Sequence, residues 1–178
     1  SIASPTWTED LDYLKDTERW KEITLPTSQK GYYITVAVVY GYSGASSNHK
    51  DYINNERLIG AALRRARHFA DVPYFLGGDF NIDPQDSKVL TLAKAADWMT
   101  DIPEAWAQYD QKTGPPYRQG AVEKSMEGSG TTRIDTIMAN EIGAHIIECF
   151  QYDWENAKGY DHVPLKIKLN IQAFRQII

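Results

Sequence analysis

The stretch Tyr74-Phe75-Leu76-Gly77-Gly78-Asp79-Phe80-Asn81 decides the fold of this chain. After Pro73 a short apolar run reads as a buried strand, ended by two glycines and by polar residues set among them. Gly77 and Gly78 let the backbone turn sharply or approach another group closely, because no Cβ stands in the way. Asp79 and Asn81 lie two positions apart, so in an extended chain their side chains share one face. A carboxylate and an amide then sit together at the carboxyl end of a strand, where open α/β sheets hold ligands. A strand that simply ends in a polar turn uses the same residue types. These residues alone leave both readings open.

Upstream, Tyr32 to Tyr40 (YYITVAVVY) is rich in β-branched and aromatic residues and apolar on both faces, as a central strand is. Arg19 to Leu25 has strand character too, and the polar turn Thr27 to Gly31 makes the two a hairpin. Ser1 to Arg19 is weakly patterned; Thr8 to Leu14 fits one helical turn or an exposed loop. Gly41 to Asn48 is small and polar, hence a loop. Asp51 to Ala70 is the strongest helix, with Tyr52, Ile59, Leu63, Ala66 and Ala70 at helical spacing. Arg64, Arg65 and Arg67 fall mostly on its other side and read as a solvated face rather than as phosphate ligands.

Downstream, Asp83-Pro84 reads as an N-cap followed by proline at the first helical position, opening a short helix to about Ala96. Trp98 to Trp106 holds a short strand or turn, and Tyr109 to Gly130 reads as one long loop, a length usual only for functional or mobile segments. Thr132 to Ala139 is a strand, with Ile134, Thr136 and Met138 on one face and Arg133, Asp135 and Ile137 on the other. Ala144 to Tyr152 is a further strand. From Val163 to Ile171 apolar residues alternate around Lys166 and Lys168, as in a half-buried strand.

Bulk properties narrow the function classes. The chain has 178 residues, 42% hydrophobic and 24% charged, the profile of one globular domain. No run of 18 apolar residues occurs, so no transmembrane segment is expected. The amino end carries neither a signal-peptide pattern nor a methionine, so the expectation is a processed or truncated piece. Net charge is −5, so nucleic acid would have to be held by a local basic patch or a bound cation. Cys149 is the only cysteine; it permits no internal disulfide and reads as a buried core thiol. An intracellular setting, the nucleus included, fits that cysteine usage.

Two more polar groups interrupt apolar strands or sit at their mouths. Asp135 lies inside Arg133-Ile134-Asp135-Thr136-Ile137, where a buried lone carboxylate would be costly. Asp161-His162 precedes the last strand, and an Asp and a His drawn from different places can set an imidazole's tautomer and charge. The ordered triple GGDFN, RIDTI and DHVP resembles the endonuclease/exonuclease/phosphatase superfamily, over about Tyr32 to Leu169. That superfamily includes apurinic endonucleases, pancreatic deoxyribonuclease-like enzymes, retroelement endonucleases and inositol or sphingolipid phosphodiesterases.

The resemblance implies an α/β (α+β) fold, a four-layer sandwich of two mixed β-sheets flanked by helices. It also implies cleavage of a phosphate ester dependent on Mg²⁺ or Mn²⁺. Asp79 matches the carboxylate that orients or deprotonates the attacking water, and Asn81 the amide that holds that water or the phosphate, or binds a second metal. Asp135 matches the residue that orients the histidine, His162 the group facing the scissile phosphate, and Asp161 a carboxylate of the metal shell. Tyr40 is a looser match to a phosphate-contacting tyrosine of apurinic endonucleases. The implied partner is nucleic acid, in a repair or retroelement setting, with a phosphorylated small molecule or lipid headgroup as the alternative. The family's earlier motifs, an Asn and a metal-binding Glu, have no match here, and Tyr160 stands where a Ser is common. The expectation is therefore one domain over residues 1–178, corresponding to the carboxyl-terminal two thirds of the family domain, or a remnant with an incomplete metal site.

Overall fold

The computed structural model describes residues 5–113, 133–153, 156, 162 and 164–173. Its elements are α1 (Pro5–Asp16), β1 (Trp20–Pro26), β2 (Tyr33–Tyr40), α2 (His49–Ala66), β3 (Tyr74–Asp79), α3 (Lys88–Ala95), β4 (Thr100–Asp101), α4 (Ile102–Thr113), β5 (Asp135–Ala139), α5 (Glu141–His145), β6 (Ile147–Tyr152) and β7 (Leu165–Leu169). A short 3₁₀ turn, Arg67–Phe69, follows α2. Five strands make one mixed sheet in the order β1-β2-β3-β5-β4, and β6 with β7 make a second. Among the described residues only β2 and β3 pair in parallel; α2 is the crossover that parallel pairing requires.

Strand alternation sends β3 to two cores. Tyr74 and Leu76 pack with Leu58, Ile59, Leu63, Leu90 and Met138 under α1, α2 and α3. Phe75 packs on the opposite face with Ile102, Ile146 and Phe150, toward the second sheet. Gly78 pairs with Val39 across β2 and β3; its φ is +137°, and a Cβ there would lie 2.1 Å from the Val39 carbonyl oxygen. Only glycine allows that approach.

The hairpin of β1 and β2 forms as the sequence implies, with Trp20 paired to Val39 and Pro26 to Tyr33. Its two faces differ more than composition suggests. Thr35, Ala37 and Val39 are buried under the helices, whereas Val38 on the other face is 52% exposed and Ile23 is 56% exposed. That outer face belongs to an open cleft between the sheets.

Several expectations are corrected. Residues 5–16 form a three-turn helix rather than one turn or a loop, because α1 docks its fully buried Leu14 on the core beside α2. The helix after β3 begins at Lys88, capped by Ser87 instead of Asp83. Ser87 Oγ accepts from Leu90 N–H and donates to Glu56, while Asp83 accepts from the Gln85 and Arg133 amides, so tertiary partners decided which residue caps. The backbone of residues 109–113 continues α4, where a loop was expected; residues 114–130 lie outside the described set. The strand read from Ala144 begins at Ile147, after the turn of α5 capped by Asn140. Cys149 is half-buried rather than a core thiol.

Arg64 and Arg67 are exposed, as a solvated face implies, while Arg65 is half-buried; all three also make contacts to other elements. Arg64 forms a paired contact to Asp10 of α1 at 2.7 Å, and Arg65 one to Glu22 of β1. Arg67 lies over the Trp98 ring. Tyr74 hydroxyl also donates to Glu22 at 3.0 Å. Burial first, and then the Glu22 charge, push that phenol far above its ordinary pKa, so it stays a donor. Among the described residues no helix is long and apolar enough to cross a membrane.

Leu76→Ala, which empties a fully buried site, should cost about 2–5 kcal/mol, and Gly78→Ala should unfold the β2–β3 pairing at least as severely. Val38→Thr on the open face should stay within about 0.5 kcal/mol. Urea melts of the three variants check this ordering.

Candidate active site

Register assembles the polar residues. Tyr40 of β2 pairs with Asp79 of β3, and Asp79 pairs with Asp135 of β5, so the three form a row across the end of the sheet. Two positions back, on the same face, Val38, Gly77 and Ile137 pair in the same way. The polar rim thus gives way directly to an apolar floor.

Two carboxylates opposite one another on adjacent strands repel. His162 stands between them. Its Nδ1 is 2.7 Å from Asp135 Oδ2, and its Nε2 is 4.0 Å from Asp79 Oδ2. With Nδ1–H donated to Asp135, Nε2 is turned toward Asp79; a second proton there makes an imidazolium facing both acids. Arg133, in the same segment as Asp135, does not compete for it. Its guanidinium forks onto buried Asp101, 2.8 Å from Oδ1, and also donates to Thr136 Oγ1.

Asn81 fixes the Asp79 carboxylate. Its amide N–H donates to Oδ1 at 2.8 Å and its Nδ2 to Oδ2 at 3.1 Å. Their nearness does not come from an extended chain, as the two-residue spacing suggests. The strand stops at Asp79, and Asn81 takes φ +52°, a left-handed conformation that Asn tolerates better than other side chains. The turn folds the amide back over the carboxylate.

Two supports were not singled out from the sequence. Fully buried Asn55 of α2 accepts from Tyr42 N–H at 3.0 Å and donates to the Phe80 carbonyl at 2.9 Å, tying the loop after β2 to the loop after β3. Its signal was present: Asn55 falls on the apolar stripe between Tyr52 and Ile59, where a polar residue needs partners. Arg19 donates to the Gly41 carbonyl at 2.9 Å, the same oxygen that Asn81 Nδ2 reaches at 3.1 Å. Nothing in its sequence context announces that contact.

Below the rim, Ile34, Val36, Phe75, Ile137, Leu165, Ile167 and Leu169 line a cavity of about 780 Å³ that opens at Asp79, Asp135 and His162. Tyr40 stands at the rim, 52% exposed. Asp161 lies outside the described residues. Asp79 and Asn81 offer the hard oxygen donors that Mg²⁺ prefers. Among the described residues, however, no three His, Cys, Asp or Glu side chains converge on one point, and both Asp79 oxygens already accept from Asn81. The described residues alone do not complete a metal centre.

No family model matches the chain, and no curated protein does. Solved structures match over most of its length. An endonuclease/exonuclease/phosphatase family protein from Bacteroides thetaiotaomicron is similar at 12% identity and TM-score 0.51, over 83% of this chain and 54% of that one. The fold is that of the endonuclease/exonuclease/phosphatase proteins. A mannosyl-6-phosphatase from the same organism matches at 12% identity and TM-score 0.52, covering 85% of this chain and 56% of its own. The 3'-5' exonuclease NExo from Neisseria meningitidis matches at 15% identity and TM-score 0.52, over 87% and 81%. A Neisseria NExo structure described as a 3' phosphatase bound to product DNA hairpin matches at 14% identity and TM-score 0.51, over 89% and 82%. The chain spans about half the length of the Bacteroides proteins.

Replacing Asn81 separates its two roles. Asn81→Gly should keep or raise stability, since glycine takes φ +52° freely, while Asn81→Val should lose roughly 1–2 kcal/mol. Denaturant midpoints of the two variants, measured side by side, check the difference.

Proposed function

We propose that this chain is a phosphoester hydrolase domain, with Asp79 and His162 as the groups that meet the substrate. One observation carries the reading: the imidazole sits between two carboxylates at the mouth of a cleft, oriented by Asp135 and facing Asp79. A core has no use for such an arrangement, and phosphate chemistry has several.

Hydrolysis of a phosphodiester needs a nucleophilic water, neutralisation of the phosphoryl oxygens and help for the leaving oxygen. Asp79 takes a proton from, or orients, the water. Asn81 keeps the carboxylate in place and presents its amide to the water or the phosphate. His162, protonated and held by Asp135, donates from Nε2 to a phosphoryl oxygen and stabilises the charge that builds there. Tyr40 closes the rim as a further phosphate donor. A divalent cation, Mg²⁺ or Mn²⁺, would supply charge neutralisation; Asp161 and Asn81 are its proposed ligands beside Asp79, and no step above depends on it.

Within this class we favour a nucleic-acid phosphodiester of repair or retroelement type. The support is a polar rim that runs across the sheet from Asp135 to Tyr40 instead of closing into a small pocket. A lipid or inositol phosphodiester is the second reading, favoured by the apolar cavity that opens beneath the same groups.

Asp79→Asn should lower turnover of bis(4-nitrophenyl) phosphate by on the order of 10²–10⁴ with an unchanged melting curve, and excess EDTA should lower wild-type turnover reversibly. Undiminished turnover in Asp79→Asn would reduce Asp79 to a turn residue. Parallel assays on an oligonucleotide and on a short-chain sphingomyelin separate the two substrate readings.

A further inference from the structure

Asp101 is the least exposed carboxylate among the described residues, its side chain only 1% accessible to solvent. A carboxylate taken out of water is tolerated only where partners compensate it. Asp101 ends the two-residue strand β4, where it pairs with Met138 of β5. Its Oδ1 accepts from Arg133 Nη1 at 2.8 Å and from the Thr136 hydroxyl and the Glu104 amide at 3.3 Å; its Oδ2 accepts from Arg133 Nη2. The Glu104 bond caps α4, an ordinary use of Asp before a helix. The other bonds go to residues on either side of Asp135. Arg133 and Thr136 bracket the carboxylate that holds His162 at 2.7 Å.

Two acids and two donors thus share one end of β5, and they have two ways to pair. In the structure Arg133 holds Asp101 and His162 holds Asp135. The alternative puts the guanidinium on Asp135, two residues along the chain, where its fork would take the oxygen that His162 Nδ1 needs. The charges are near enough to act on one another. Burial first raises the Tyr152 phenol above its ordinary pKa; the Arg133 charge lowers it, and the Asp101 and Asp135 charges raise it further. All three charges therefore reach one hydroxyl.

We propose that Asp101 is a positioning residue for the candidate site: by holding Arg133 it reserves the Asp135 carboxylate for His162. Its effect on turnover rests on the hydrolase reading of Asp79 and His162, whereas the pairing can be read without any substrate. A simpler role is that of an anchor. Asp101 would then cap α4 and tie β4 to the segment before β5, and the site would only ride on that support. The two roles differ once Arg133 is removed as well. An anchor is lost all the more in a double variant, whereas a competitor that is gone needs no restraint.

The test is the ring-nitrogen NMR spectrum of the whole chain labelled with ¹⁵N-histidine, recorded at one fixed pH, with the His162 signals assigned by their loss in His162→Gln. The wild type should show a protonated, hydrogen-bonded Nδ1. Asp101→Asn, which keeps a capping side chain for α4, should lose that Nδ1–H signal. It should also lower turnover of bis(4-nitrophenyl) phosphate about tenfold, the loss of one charge-assisted hydrogen bond. The double variant, Asp101→Asn with Arg133→Gln, should regain the signal and recover most of the turnover. A wild type without the signal, an unchanged signal in Asp101→Asn, or a double variant no better than Asp101→Asn overturns the proposal. Where Asp101→Asn alone does not fold, the double variant decides, since it leaves no unpaired buried charge: a signal kept there supports the proposal and a signal lost overturns it. No turnover by the wild type would sink the hydrolase reading, and the histidine spectra would still judge Asp101.

Discussion

Everything at the site depends on the parallel pairing of β2 with β3, in which Gly78 faces Val39 with no room for a Cβ. It locks β3 against β2 in a single parallel register, and β5 then pairs with β3 from the other side. A slip of one residue would turn every side chain to the opposite face. Asp79 would then point into the helical core instead of the cleft, and Leu76 would leave that core. The same contact that holds the sheet together therefore aims the carboxylate.

Placing Asp79 opposite Asp135 carries a cost, because two like charges face one another across a strand pair. His162 is placed between the two carboxylates. The imidazole is hydrogen-bonded to Asp135 at 2.7 Å and turns its other nitrogen toward Asp79, 4.0 Å away. Arg133 would disturb the arrangement if it turned to Asp135. Buried Asp101 and Thr136 take that guanidinium instead, and Asp135 holds His162.

The site loops are supported from behind. Asn55 binds the segments after β2 and β3 to α2, and α2 is itself tied by Arg64 and Arg65 to α1 and β1. The exposed ion pair contributes little by itself. The pair with Glu22 is more enclosed and shares that carboxylate with Tyr74. Rigid support on the helical side contrasts with the cleft side, where Val38 and Ile23 stay open to solvent.

The sequence by itself determined the strands around YYITVAVVY and YFLGGD, the long helix and the order of the three polar motifs, because each is written in local periodicity, β-branching and glycine. It could not determine α1, whose weak pattern becomes a helix only against Leu58 and its neighbours, nor which of Asp83 and Ser87 caps α3. Both outcomes rest on partners far along the chain. The candidate residues Asp79, Asn81, Asp135 and His162 were legible as types. Their meeting was decided by the tertiary structure, since strand register and a left-handed turn at Asn81 bring together groups separated by the length of two further strands. Arg19 was not legible at all: an arginine before a strand is ordinary, and only its backbone pairing with Tyr40 brings its guanidinium to the Gly41 carbonyl that Asn81 also reaches.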